Sequence, residues 1–450
     1  MKGNSFVPFM IHKGDGSTLN LDFTKMSELD SRFTFTRSTT ATYIDSSGYV
    51  ATMAAAATND PTKARLDYNP TTLAANGLLI EGSATNLSTY SADFTHASWT
   101  KAQSGITAAA ATSPENAATG SLLAENVTTF EKHALQKSFA VTAGSVYTFS
   151  VFLKEPLTDS RRYVALQLAD GQATAARYTV NFDLLNGVVL VAAATNGTAG
   201  APTDTSYSIT AFPNGWYRCV ITMKHVASPS YPVVLLNNLA TLPGGTNQPA
   251  YSPSAPYKGI YVWGAQVELG TGASSYIPTV ASQVTRASDE CYMADISSFN
   301  YSNTSASMAM QFMYAQQSTG YIEQIGFMTA TDQPVIESLA NGLSFFTSVR
   351  GASLSTGGLN EVSRTFTLNT AIKYSYSVDT TTDPILRVNL NSSASSANKS
   401  GTGNMYTATR FVFGRLPAST YGSNFGSITI KSVKYWPTTK TAAELAALTL

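Results

Sequence analysis

The stretch RYTVNFDLLNGVVLV, residues 177–191, decides the fold class of this chain. Every second residue in its first half is apolar or aromatic: Tyr178, Val180, Phe182 and Leu184. Such alternation predicts a β-strand with one buried face. The pair Asn186–Gly187 that follows is a strong signal for a tight turn between antiparallel strands. The stretch therefore predicts a β-hairpin that covers a hydrophobic core.

The same alternation recurs on both sides of this hairpin, from about residue 33 to residue 436. Clusters of Gly, Pro, Asn and Ser separate the runs at the spacing expected of β-sandwiches. The run SITIKSVKYW, residues 427–436, changes phase half-way, which predicts a β-bulge or a strand end. The clear helical signal is the capping box of Thr441 and Glu444. We therefore expect an all-β chain with two jelly-roll or lectin-like β-sandwiches in tandem, a small N-terminal β module and a short C-terminal helix.

Charge and composition narrow the possible partners. Only 12% of the 450 residues are charged and the formal net charge is zero, as in stiff β-rich extracellular or virion proteins. No basic stretch is interleaved with aromatic residues, which disfavours nucleic acid as a partner. No apolar run approaches the roughly 18 residues of a membrane span, and the start lacks the apolar core of a secretory signal. We expect a chain made in a cytoplasm, with no membrane insertion.

The sequence carries few signs of metal or catalytic chemistry. Cys219 and Cys291 are too few for a disulfide framework and wrongly spaced for zinc, so we interpret both as buried thiols, with a disulfide left open. No Asp-rich loop has calcium-ligand spacing, and we name no metal ligand and no cofactor. Motifs of serine hydrolases, zinc peptidases and phosphate-binding loops are missing, and no strand carries the two carboxylates that glycoside cleavage requires. We therefore expect no enzyme, with a surface-polysaccharide depolymerase as a distant alternative.

An arginine interrupts an apolar strand face near the start of the chain. Phe33 and Phe35 lie on one side of an extended segment, and Arg37 is the next residue on that side. A buried arginine needs a carboxylate partner, and Asp45 or Glu81 could supply it. We interpret Arg37, Asp45 and Glu81 as a structural tie.

Sugar-binding sites combine aromatic faces with planar polar groups. The outward faces of three predicted strands of the first sandwich supply both kinds of group, and they would form one patch if the strands are neighbours. Packing against another domain or subunit is the alternative use of this face. Trp263 is assigned instead to a core face that it shares with Ala265. The candidate carbohydrate-binding residues are Tyr163, Gln167, Arg177, Asn181, Asp183, Trp216 and Arg218.

Five stretches together resemble a widespread family of bacteriophage structural proteins. They are FTFTRSTTATYIDSSGYVAT (33–52), ARLDYNPTTLAANGLLIEGSATNLSTYSADFTHASWTK (64–101), GWYRC (215–219), YVWGAQVELGTGASSYIPTVASQVTRASDE (261–290) and VKYWPTTKTAAELAALTL (433–450). The family comprises tail-fibre, receptor-binding and capsid-appendage proteins. The resemblance covers nearly all of the chain from about residue 30 onward.

This resemblance implies an exposed virion component that adheres to host-surface glycans, or a purely structural capsid or tail-associated subunit. The strand pattern places a domain boundary near residues 279–292, where one set of strands ends and another begins. Together with the resemblance it predicts a small β module at residues 33–88, a carbohydrate-binding-module-like sandwich at 89–285 and a concanavalin-like sandwich at 286–450. Residues 1–32 would dock on other virion proteins, with the apolar stretch SFVPFMIH (5–12) added to a partner as a strand. A homo-oligomer is expected, and a trimer fits phage fibres. The host, the glycan and the position on the particle stay open.

Overall fold

The computed structural model describes most of the chain, and within the described residues the chain is built almost entirely from antiparallel β-sheet. The all-β class, the β-sandwiches and the short C-terminal helix expected from the sequence are confirmed. The proposed docking stretch at 5–12 lies outside the described residues. These are residues 15–156, 162–171, 176–195, 200–242, 248–253, 258–315, 318–330, 334–342, 344–350, 359–360, 364–365, 367–381, 385–391, 393–398, 404–414 and 427–449.

Two six-stranded sheets enclose one core and form what we call the first sandwich. In sheet 1A the strand order is Thr203–Phe212, Trp216–Lys224, Val146–Lys154, Gly259–Leu269, Gly120–Glu125 and Ser104–Ala111. In sheet 1B it is Val188–Thr195, Arg177–Asp183, Tyr163–Asp170, Ser230–Asn237, Ala134–Gln136 and Thr100–Ala102. The alternating apolar residues of both sheets meet between them, among them Phe149, Phe182 and Leu236.

The predicted hairpin at Asn186–Gly187 is present. Asp183 pairs with Val188, and Gly187 adopts φ +64°. A Cβ atom at position 187 would lie 2.4 Å from a ring carbon of Tyr217. Glycine is therefore required both by the backbone conformation and by the close approach of the ring.

A bulge at Gly264 reverses the side-chain alternation in strand Gly259–Leu269. Gly264 adopts φ +64°, and the pairing register with the neighbouring strand shifts at this point. Val262 and Ala265 both face the core of the first sandwich, whereas Trp263 faces the opposite side, where it packs against Phe152. The prediction that Trp263 is buried is confirmed, but the face predicted for it is wrong.

Two further sheets enclose a second core and form what we call the composite sandwich. In sheet 2A the order is Ser393–Asn398, Ile385–Leu390, Ile372–Asp379, Ser305–Tyr314, Ser427–Trp436, Ala75–Glu81 and Arg65–Tyr68, and Leu19–Asp22 also pairs with Ser427–Trp436. In sheet 2B it is Phe33–Thr36, Glu290–Met293, Arg410–Phe413, Ser318–Met328, Pro334–Gly342, Ser344–Val349 and Leu359–Asn360, and Arg364–Thr365 pairs with Ser344–Val349.

Both ends of the chain contribute to the composite sandwich. Leu19 lies opposite Tyr435, and Ile80 lies opposite Ile428. Phe33 lies opposite Met293 in the other sheet. Strands from the interval predicted as a small β module are thus hydrogen-bonded to strands after residue 289, while the domain boundaries themselves stay predictions.

Short elements complete the described chain. The phase change predicted in SITIKSVKYW is a bulge, since the register with strand Ser305–Tyr314 skips Lys431. The helix Ala442–Ala447 begins with the predicted capping box of Thr441 and Glu444. The remaining elements are two two-stranded sheets, Ala41–Ile44 with Val50–Met53 and Ala84–Asn86 with Val284–Arg286, and the 3-10 turns Pro61–Lys63, Pro213–Gly215 and Ser297–Phe299.

Candidate ligand-binding cleft

The seven residues predicted to bind sugar lie on two different sheets. Tyr163 and Gln167 lie on one strand of sheet 1B, and Arg177, Asn181 and Asp183 lie on its neighbour, with Tyr163 directly opposite Asp183. The other two, Trp216 and Arg218, belong to sheet 1A. The two sheets of a sandwich face away from each other on their outer sides, so the structure forms no single patch from the seven residues.

The sheet 1B group is largely covered by the chain itself. Gln167 and Asn181 are fully buried. The Gln248 side-chain amide donates a 2.6 Å hydrogen bond to Oε1 of Gln167, and Nδ2 of Asn181 donates to the Leu239 carbonyl at 3.2 Å. The long loop after strand Ser230–Asn237 therefore occupies this face, in place of the exposed patch expected from the sequence.

Asp183 is also committed to internal contacts. It pairs with Arg162 and accepts hydrogen bonds from the backbone N–H groups of Leu185 and Asn186 at the hairpin turn. The hydrogen bond from Arg162 lowers the pKa of Asp183, which stays ionised in this setting. Its role is to organise the hairpin.

Trp216 belongs to an aromatic cluster on the outer side of sheet 1A. The Trp216 side chain is fully buried, and its indole N–H donates a 2.8 Å hydrogen bond to the Thr112 carbonyl. The cluster consists of Val50, Phe152, Phe212, Trp216, Trp263 and Tyr276. Trp216 is therefore a packing residue. Its burial contradicts the carbohydrate-binding use of this face, and its contact cluster with Val50 agrees with the alternative, packing against another part of the chain.

Beside this cluster lies a cleft of about 840 Å³ between sheet 1A and the composite sandwich. Sheet 1A contributes Arg218 and Thr210 to its lining. Segments 42–50 and 67–81 and residues 271–276, which connect the two sandwiches, also line it. Residues of sheet 2A, including Met313 and Thr429, close the cleft on the side of the composite sandwich. The volume falls within the usual range of ligand pockets.

Arg218 is the only arginine or lysine among the described residues that line the cleft. Its Nη2 donates a 3.0 Å hydrogen bond to the Ser150 hydroxyl, and its guanidinium carbon lies 5.4 Å from the centre of the Phe152 ring. Its Nε is buried without a hydrogen-bond partner, and no carboxylate of the described residues lies within ion-pair distance. Burial lowers the pKa of Arg218, although nearby Glu268 acts in the opposite direction.

An acidic and aromatic group also lines the cleft. Asp67 accepts hydrogen bonds from the backbone N–H of Ile44 at 2.8 Å and from Nδ2 of Asn76 at 3.2 Å. Burial raises the pKa of Asp67 to about 6. Burial, together with the charges of Asp45, Tyr68 and Asp67, raises the pKa of Tyr43. Half-buried Tyr43 and Tyr68 thus line the cleft beside a carboxyl group that exchanges its proton close to neutral pH.

A network of buried charged residues links the N-terminal segments of the composite sandwich to residues 286–289. Arg65 donates from Nη1 to Glu81 at 2.6 Å and from Nη2 to Asp289. Asp289 also accepts a 3.0 Å bond from Nη1 of Arg37, and Arg286 lies 3.5 Å from Glu81. We call these five residues the ionic tie, and all five are buried.

The predicted burial of Arg37 is confirmed, but the partners predicted for it are wrong. Its carboxylate partner is Asp289, which is 252 positions away in the sequence. Asp45 instead accepts hydrogen bonds from the backbone N–H groups of Ser47 and Tyr49 within its own turn. Glu81 pairs with Arg65, so it belongs to the same network as Arg37 without contacting it.

Asp67 and Glu81 both line the cleft and have opposite pKa shifts, an arrangement that acid–base catalysis can use. Burial alone would raise the pKa of Glu81, but the charges of Arg286 and Arg65 lower it. Both oxygens of Glu81 are occupied, one by the backbone N–H of Ser275 and the other by Arg65 and the Ser275 hydroxyl. Glu81 is therefore held as a structural anion.

The remaining expectations from the sequence concern metal-binding clusters, membrane-spanning segments and thiols. No group of three or more His, Cys, Asp or Glu side chains within them is placed to hold a metal ion. No helix in the described ranges is long and apolar enough to cross a membrane. Both cysteines are buried free thiols, as the sequence predicts.

No family model and no curated protein matches the chain. Among solved structures, the receptor-binding domain of botulinum neurotoxin type G is 7% identical over 36% of this chain, with a TM-score of 0.27, and the chain spans 39% of its length. The CBM40 of a Ruminococcus gnavus sialidase, bound to α2,3-sialyllactose, is 9% identical, with a TM-score of 0.28, and the alignment covers 33% of this chain and 84% of that one. Trypanosoma rangeli sialidase is 9% identical over 74% of this chain and 60% of its own, with a TM-score of 0.27. Scores this low carry no argument about what this chain does.

The sequence alone does not predict the cleft, because its lining comes from segments spread between residues 42 and 429. Of the seven predicted residues, only Arg218 lines it. One signal was present, since the carboxyl group of Asp67 stands inside the short, half-buried strand Arg65–Tyr68. A partly buried carboxylate in a strand indicates either an internal partner or a site.

Proposed function

We propose that the chain is a glycan-adhesion protein exposed on a bacteriophage particle, and that the glycan binds in the cleft between the two sandwiches. The observation that carries this proposal is the lining of the cleft, which combines Tyr43 and Tyr68 with the planar polar groups of Asn76, Asp67 and Arg218. Aromatic faces match the C–H faces of a pyranose, and planar polar groups match its hydroxyls.

The virion role rests on the five sequence stretches that resemble phage structural proteins. On this proposal the chain is made in the host cytoplasm and joins a tail or capsid appendage as a homo-oligomer, with a trimer favoured. Several weak sites on one oligomer then act together, which raises the avidity for a polymeric surface glycan. Residues 1–32 would supply the contact with other virion proteins.

A purely structural subunit is the second candidate, and one observation favours it. Phe130 is 84% exposed and Val127 on the same loop is 65% exposed. Exposed large apolar side chains close together are typical of protein interfaces. In this alternative the loop at residues 126–131 contacts another subunit, and the cleft has no ligand.

The test is binding of the purified, assembled protein to a panel of bacterial envelope polysaccharides, measured by surface plasmon resonance. Tyr43→Ala and Tyr68→Ala should each weaken binding by about tenfold, the loss of roughly 1.4 kcal/mol that a well-packed contact residue supplies. Tyr163→Ala is the matched control, since Tyr163 is half-buried on sheet 1B, away from the cleft.

The outcomes separate the candidates. Wild-type binding that is lost with the Tyr43 and Tyr68 variants and kept with the control supports adhesion through the cleft. Absence of binding by a folded wild-type oligomer across a panel that includes the host's own polysaccharide contradicts adhesion and favours the structural subunit. Release of shortened polysaccharide during incubation would instead establish a depolymerase.

A further inference from the structure

We propose that Arg218 is the anchor for a carboxylate, so that the glycan bound in the cleft is an acidic oligosaccharide. This inference rests on the proposed function and deepens it, because it specifies the chemical class of the ligand. Two observations carry it: Arg218 lines the cleft, and the nearby carboxylates among the described residues do not form an ion pair with it.

Arg218 is partly buried, and its Nε is fully buried. Partial desolvation of a guanidinium is unfavourable when no carboxylate pairs with it. Arg218 makes one hydrogen bond, to the neutral hydroxyl of Ser150, and its Nε has no partner. A packing role would be served better by an apolar residue of similar volume. The unused donors can hold an anion, and the planar fork of a guanidinium matches a carboxylate in a bidentate geometry.

The acids near Arg218 already have other partners. Glu268 accepts hydrogen bonds from Gln266 and from the backbone and hydroxyl groups of Ser274. Burial raises the pKa of Glu268, and Arg218 is the weakest of the influences that oppose this rise. Glu268 therefore gives Arg218 little charge compensation.

None of the other described acids that line the cleft pairs with Arg218. Glu81 belongs to the ionic tie. Asp204 lies 3.7 Å from the ammonium of Lys224, and Asp67 is held by Ile44 and Asn76. Glu268 and Glu81 favour the charged form of Arg218 from a distance, but neither forms an ion pair with it. An acidic ligand would supply a direct ion pair to Arg218, whereas a neutral glycan would not.

The rest of the cleft fits a sugar that carries the carboxylate. Tyr43 and Tyr68 line the same cleft as Arg218, and Thr210 and Asn76 add hydrogen-bonding groups to its lining. A volume of about 840 Å³ accommodates more than a small anion such as acetate. The class that this lining selects is an oligosaccharide that contains uronic or ulosonic acid.

The test compares an envelope polysaccharide that the wild type binds with the same polysaccharide after chemical reduction of its carboxylates to alcohols. Calorimetric titration of the assembled protein should show a loss of about tenfold to a hundredfold on reduction, the range expected for one charge-assisted contact. Arg218→Met should bind the native and the reduced polymer equally weakly, and Arg218→Lys should keep part of the preference. Arg162→Met is the control, since Arg162 pairs with Asp183 at the hairpin, away from the cleft.

The thermal midpoint of each variant is the second readout. Because Arg218 lacks an ion pair, Arg218→Met should unfold at the wild-type temperature or above it, whereas a structural Arg218 would give a clear decrease. Equal wild-type affinity for native and reduced polymer would overturn this inference and leave adhesion intact. Binding of neither polymer by the folded wild type would contradict the proposed function itself, and a preference that survives Arg218→Met would assign the carboxylate contact to another residue.

Discussion

Asp67 gives a direct test of the electrostatics of the cleft, because its raised pKa predicts that the ionised carboxylate destabilises the folded protein. The ordinary pKa of this carboxyl group is 3.8, and burial raises it to about 6 in the folded protein. Between these values the folded protein holds a proton that the unfolded chain releases. The free energy of unfolding therefore falls as the pH rises from about 4 to about 6, and the loss is complete above that range.

The size of this loss follows from the two pKa values. A shift of one pKa unit corresponds to about 1.36 kcal/mol, so a shift of about two units costs about 3 kcal/mol at neutral pH. Asp67→Asn removes the ionisation but keeps an oxygen that accepts from the backbone N–H of Ile44. Asn76 can turn its amide to present an oxygen to the new side chain. The variant should therefore be more stable than the wild type by up to about 3 kcal/mol at pH 7.5, and equally stable at pH 4.

Urea unfolding between pH 4 and pH 8, followed by fluorescence, measures this difference. Asp30→Asn is the control with the opposite sign. Burial would raise the pKa of Asp30, but its contacts with Arg32 lower it, so its charge stabilises the fold at neutral pH and this contribution is lost on acidification. A difference between Asp67→Asn and wild type that stays constant from pH 4 to pH 8 would refute the reasoning, as would a less stable variant at pH 7.5.

Three further predictions concern the framework. Arg65→Met removes the cation that bridges the buried carboxylates of Glu81 and Asp289 and should lower the free energy of unfolding by about 3–5 kcal/mol, whereas Arg32→Met, at a partly exposed pair, should cost about 1 kcal/mol or less in urea titrations. Gly77→Ala should reduce the thermal midpoint strongly, because Gly77 has φ +110° and a Cβ there would lie 2.1 Å from a backbone oxygen, while Gly105→Ala, with open space around it, should be nearly silent. Thr441→Ala removes the capping box and should cost about 1 kcal/mol, seen as faster amide exchange confined to the C-terminal helix.

Local features of the fold could be predicted from the sequence, because alternation, turn chemistry and capping act over a few residues. The hairpin at Asn186–Gly187 and the bulge near Lys431 are of this kind. Gly264 shows how far such reasoning reaches. A glycine inside a strand pattern indicates a bulge, and taking it into account would have placed Trp263 on the correct face.

The site could not be predicted in the same way. Alternation indicates which residues face inward, but not which strands become neighbours, so it does not separate Trp216 from the candidate residues of the other sheet. The same limit applies to Arg37, whose partner Asp289 is 252 positions away in the sequence. An outward-facing residue is also not always exposed to solvent, since Gln167 is covered by a loop from the same chain.

The first sandwich is inserted between two parts of the composite sandwich that pair with each other. The segment that builds the first sandwich leaves the composite sandwich after Asn86 and returns at Val284, and these two residues lie opposite each other in a two-stranded sheet. The first sandwich is thus an insert whose two ends meet at one point. A change in the length of the insert would leave both outer segments of the framework paired where the chain leaves and returns.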